Sequence, residues 1–94
     1  MRIITKIDKY QIELISFIKT EVLNTHDEIT HRWRELNRGM TLGNLYKQAI
    51  QIRFETEEGD MMETETTIWA VTEKNVVLKN GILIPIRAIH EVIV

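Results

Sequence analysis

The sequence predicts an α+β fold: an N-terminal helical hairpin followed by a curled antiparallel sheet of four or five strands, of the SH3-like or Sm-like small-barrel kind. Three observations carry that prediction. Apolar residues recur at three- and four-residue steps through the first half. Near position 49 the period changes to two. Turn signals then follow at short intervals, as in small β units.

Residues 2–7, Arg-Ile-Ile-Thr-Lys-Ile, read either as a short strand or as a lead-in to the first helix. Asp8 is placed as an N-cap. Tyr10, Leu14, Phe17, Ile18 and Val22 then form an apolar stripe, with Lys9, Glu13, Ser16, Lys19 and Thr20 largely opposite, which predicts a helix over about 8–23. Thr25 and Glu28 match the capping box, in which hydroxyl and carboxylate each satisfy an orphan backbone N–H. Asp27 is the rival cap. A second helix is expected to run to about Arg38 with Gly39 just past its end. Its apolar face is Ile29, Trp33 and Leu36, with Met40 at its margin; the two helices read as a hairpin or as one longer helix with a kink, and a helical turn or loop at 41–46 is expected to dock Leu42, Leu45 and Tyr46 onto the core.

Ile50, Ile52 and Phe54 alternate with Gln51, Arg53 and Glu55, the pattern of a half-buried strand. Glu57-Glu58-Gly59-Asp60 is a turn. A Thr-rich strand is expected from Met61 to Thr72, then Val76–Lys79, and Asn80-Gly81 is a type I′ hairpin signal. Pro85 cannot donate to a ladder and so demands an edge or strand-end position in Ile82–Ile86. Arg87-Ala88-Ile89 makes a short turn before a last strand over His90–Val94.

Ninety-four residues fit one domain, 1–94, with a helical half (1–48) and an antiparallel β half (49–94). Cysteine is absent, which excludes a disulfide scaffold, a thiol nucleophile and Cys-based zinc sites. The apolar runs fall short of the ~20 residues of a membrane span, and the opening residues lack a signal-peptide core. No membrane role is expected, and cytoplasmic residence is the default. Net charge is −2, but unevenly placed: Glu55, Glu57, Glu58, Asp60, Glu63 and Glu65 crowd one stretch that would repel phosphate.

His26 and His31 lack the i,i+4 spacing of helical metal ligands, and His90 stands far off, so solvated or capping histidines are expected and no metal or cofactor is assigned. The acidic residues lack EF-hand spacing and read as a solvated strand face. The densest basic stretch is His31-Arg32-Trp33-Arg34 with Arg38, a candidate nucleic-acid contact through Arg32, Arg34 and Arg38. Trp33 itself falls on the inner stripe and reads as a core anchor. Met61, Met62 and Trp69 are the candidate protein interface. Ser16, the one serine, has no base nearby, and neither a P-loop nor a GxGxxG nor an HExxH motif occurs.

Ala49-Ile-Gln-Ile-Arg-Phe-Glu-Thr-Glu-Glu-Gly, closing in Ile84-Pro85-Ile86-Arg87-Ala88-Ile89-His90-Glu91-Val92, resembles the C-terminal half of YolD-like bacterial proteins over about 45 residues. The family's N-terminal Arg-Gly…Lys-Trp segment has no counterpart here. The same strand rhythm is similar to small Sm-like barrels such as the Rho-binding antiterminator. Both resemblances imply a non-enzymatic bacterial accessory protein and supply no catalytic residue. The expectation is therefore a binding or adaptor protein with a protein partner or a homodimer surface. A nucleic-acid-associated regulator using the arginines, with Arg2 and Lys6 in support, is the alternative.

Overall fold

Thr25 starts the long helix in the way its sequence dictates. Its Oγ1 accepts the Glu28 N–H at 3.1 Å, while Glu28 Oε1 accepts the Thr25 N–H at 3.2 Å, a cap that contributes about 1 kcal/mol. The protein is described by a computed structural model covering residues 3–94; Arg2 lies outside the described residues. Its elements in order are β1 (Ile4–Lys6), a 3-10 turn (Lys9–Leu14), α1 (His26–Tyr46), β2 (Ile50–Glu55), β3 (Met61–Thr66), β4 (Ile68–Val71), β5 (Asn75–Leu78), a 3-10 turn (Lys79–Gly81), β6 (Leu83–Pro85), a 3-10 turn (Ile86–Ala88) and β7 (Ile89–Ile93).

The α+β class holds, but the helical hairpin and the small barrel do not. Two open sheets replace the single curled one: four strands in the order β1-β3-β2-β7, and three in the order β4-β5-β6. β1 lies parallel to β3, with Ile4 beside Met61. The other pairings are antiparallel. The expected strand from Met61 to Thr72 is two strands, since the chain leaves the first sheet at Thr67 and enters the second.

The expected helix over 8–23 is only the 3-10 turn. Asp8 does cap it, with a complete box to Gln11. Beyond Leu14 the β-branched and aromatic residues favour extended backbone, and the sheet supplies partners for it. Glu57 N–H donates to the Ser16 carbonyl at 2.8 Å, Ile18 N–H donates to the Glu55 carbonyl at 3.3 Å, and Phe17 bridges Thr56. Phe17 then stacks at a tilt on Phe54, with ring centroids 5.5 Å apart.

The helix does not stop at Gly39. It continues to Tyr46 and ends at Lys47, whose backbone is left-handed (φ 55°, ψ 31°). Both helical glycines answer to packing instead: Gly39 and Gly43 are buried against the sheet side of the molecule. Asn80 and Gly81 both have positive φ, as the hairpin signal requires, but within a four-residue connection, 79–82. Pro85 ends β6, an edge strand, as its missing N–H demands.

The core is built where the faces meet: Leu36 from α1, Ile50, Ile52 and Phe54 from β2, Ile68 from β4, Val76 and Leu78 from β5, Ile84 from β6, and Ile89 and Val92 from β7. β3 faces it with Met62, Thr64 and Thr66, opposite Phe54, Ile52 and Ile50. The Thr64 and Thr66 hydroxyls are buried there with no hydrogen-bond partner among the described residues.

Candidate functional site

A helix can approach a strand closely only where it lacks side chains, and α1 does so at its C-terminal end. A Cβ on Gly43 would stand 2.5 Å from the Ile68 carbonyl oxygen and 2.9 Å from Thr67 Cγ2. The loop after β5 joins the same place, with the Lys79 N–H donating to the Thr67 carbonyl at 2.9 Å. Beside these contacts lies a cleft of about 390 Å³ lined by Gly43, Asn44, Lys47, Thr67, Trp69 and Lys79.

The cleft has a definite chemistry. The β4–β5 register shifts between Ile68 and Ala70, and such a bulge re-aims the extra residue. Trp69 is that residue, and it stands 48% exposed. Lys47 and Lys79 are both exposed, and the lining holds no carboxylate. Lys47 occupies a left-handed position that glycine or asparagine would hold with less strain, at a cost of about 1 kcal/mol. Strain of this kind gathers at functional sites.

The arginines expected to contact nucleic acid do not form one patch. Arg32 is 5% exposed, gives both terminal nitrogens to Glu21, and donates to the Ile89 carbonyl at 3.0 Å. Partial burial pushes the Glu21 carboxyl up, but hydrogen bonds from Arg32 and the Leu23 N–H, with the Arg32 charge, outweigh it and leave the pKa lowered. Arg34 and Arg38 are exposed, on the outward side of α1 by helical spacing. Met61 and Met62 begin β3 with alternate facing. Met62 packs on the core and lines a separate cleft with Leu14, Ser16, Glu57 and Asp60. Trp69 belongs to the other sheet, so the three do not meet. Trp33 is not a core anchor: it stands 45% exposed beside Ile29, Glu73 and Ile86.

The carboxylates read as a solvated face are partly structural. Glu63, its side chain 5% exposed, accepts from Arg53 Nε at 2.8 Å and lies 3.8 Å from Lys6; Arg53 Nη1 reaches Glu91 at 3.1 Å. A row of alternating charge thus crosses all four strands of the first sheet. The hydrogen bond to Glu63 leads the influences that raise the Arg53 pKa above its usual range. His90 Nε2 lies 2.8 Å from Glu55 Oε1. Among the described residues no three His, Asp or Glu side chains are grouped to hold a metal ion.

Sequence reading names Trp69 and misses its companions. Asn44, Lys47, Thr67 and Lys79 span 35 positions, and a helix ended at Arg38 hides the first two. The usable signal was the pair of exposed lysines at element ends, Lys47 after α1 and Lys79 before Asn80-Gly81. Comparison with protein-family models, with curated proteins and with solved structures finds no match to this chain.

Proposed function

We propose that this protein is a non-enzymatic binding module for single-stranded nucleic acid, seating a base on Trp69 and a phosphate between Lys47 and Lys79. The observation that carries the reading is a half-exposed indole in a cleft with two lysines and no carboxylate. Base–aromatic stacking contributes about 1–3 kcal/mol and needs a base free of its own stack, which favours a single strand. Two cations outweigh the opposing end of the α1 dipole, worth about half a charge.

The overall charge of −2 does not argue against this. The acidic turn at Glu57–Asp60 lies beyond the far end of β2, whose six residues span about 20 Å. That exceeds the screening length of about 8 Å at physiological salt. The test is a tryptophan-fluorescence titration with an eight-nucleotide thymidine strand at several salt concentrations. Quenching is expected, with log K falling against log salt by about 0.7 per phosphate held. Absence of binding at low salt would remove the reading.

A further inference from the structure

We infer that the binding surface is longer than the Trp69 cleft and runs along one flank of α1 to Trp33, so that a strand of several nucleotides engages both indoles. This rests on the reading of the cleft as a nucleic-acid site.

Trp33, Asn37, Met40 and Asn44 follow one another at steps of four, three and four within α1, the spacing that keeps residues on one helical flank. Asn44 lines the cleft that holds Trp69. Eleven residues of helix separate Asn44 from Trp33, about 16 Å at 1.5 Å per residue. That length equals about five stacked spacings of 3.4 Å per nucleotide. Both indoles stand close to half exposed, and exposed aromatic faces in series are how sequence-tolerant single-strand sites are made.

Charge supports the same path. At the Trp69 end stand Lys47 and Lys79. At the Trp33 end the groove of Ile29, Trp33, Glu73 and Ile86 adjoins a second cleft where Lys74 and Arg87 stand with Glu73 and the Arg32–Glu21 pair, the two clefts sharing Arg32, Glu73 and Ile86. Glu73 would repel a phosphate set directly on Trp33. The base therefore belongs on the indole, and the phosphates turn away from Glu73.

Two single-tryptophan variants test the path. Trp33→Phe leaves Trp69 as the reporter, and Trp69→Phe leaves Trp33 while keeping an aromatic platform in the cleft. Each is titrated with thymidine monophosphate, a thymidine dinucleotide and an eight-nucleotide thymidine strand. The short ligands should quench Trp69 alone, and the eight-nucleotide strand both. Its affinity should exceed the dinucleotide's by about tenfold, a gain removed by Trp33→Ala while dinucleotide binding is unchanged. Quenching of Trp69 with Trp33 unmoved by the long strand would overturn the extended path and leave the Trp33 groove to a protein partner. Failure to quench either indole would overturn the Trp69 reading and this inference with it.

Discussion

Arg32 Nη1 stands 2.8 Å from Glu21 Oε2 across eleven positions of sequence, and the same nitrogen donates to the Ile89 carbonyl at 3.0 Å. One guanidinium therefore joins the segment ahead of α1, the helix itself and β7. The segment from Ile15 to Asn24 has no helix or strand of its own. It is held by backbone bonds such as Val22 N–H to the Arg87 carbonyl at 3.0 Å, and by this ion pair.

Glu21→Gln should destabilise the protein by about 2 kcal/mol. Breaking a fully buried pair costs about 3–5 kcal/mol, discounted here because the Glu21 side chain is 34% exposed. The pH dependence has a definite sign. The folded Glu21 pKa is lowered from its ordinary 4.5, so the pair's contribution is fully present above pH 4.5 and is lost as pH falls through the lowered value. Denaturant midpoints of parent and variant should differ at pH 7 and converge as the pH falls below 4.5. A gap that stays constant with pH would refute the assignment.

The two helical glycines should differ on substitution. Gly43→Ala drives a methyl against a backbone carbonyl 2.5 Å away, which cannot yield without moving β4, and should cost about 2–3 kcal/mol. A Cβ on Gly39 meets Ile50 Cδ1 at 2.7 Å, the mobile end of a side chain. Alanine also favours helix over glycine by about 1 kcal/mol, so Gly39→Ala should stay within about 1 kcal/mol of the parent. Equal losses in thermal denaturation would show that the close approach at Thr67 and Ile68 is not the reason for Gly43.

Lys47→Gly should separate stability from binding. Relief of the left-handed φ of 55° should raise stability by about 0.5–1 kcal/mol. Removing the ammonium should flatten the salt dependence of oligonucleotide affinity by about 0.7 in log–log slope. Lys47→Asn should do both to a lesser degree in stability. An unchanged salt slope would take Lys47 out of the site.

What the sequence made legible was local. The Thr25–Glu28 box, the two-residue rhythm of Ile50–Phe54, the positive φ at Asn80-Gly81 and the edge position of Pro85 each depend on a few neighbouring residues. What it hid was set by distant partners. Gly39 resembles a helix stop because its role, making room for Ile50 and Ile68, is written elsewhere in the chain. Residues 16–18 carry a helical stripe, yet their backbone is claimed by Glu55 and Glu57. The Trp69 cleft was half legible for the same reason, since Asn44, Lys47 and Lys79 converge only after α1 lies along β4.

Thr64 and Thr66 present a last test, of the core itself. Both alternate inward on β3, opposite Ile52 and Ile50, and both bury a hydroxyl that finds no acceptor or donor among the described residues. A buried hydroxyl without a partner costs about 1–3 kcal/mol, and valine replaces it with a methyl of nearly the same shape. β-branching, which favours strands, is preserved. Thr64→Val should therefore stabilise the protein by about 1 kcal/mol, with Thr66→Val similar, read as a higher denaturant midpoint at unchanged slope. The two substitutions should fall short of additivity, because the residues lie two apart on one face, opposite the adjacent core residues Ile52 and Ile50. A loss of stability in Thr64→Val would mean that its hydroxyl has a partner and that this face of β3 is satisfied.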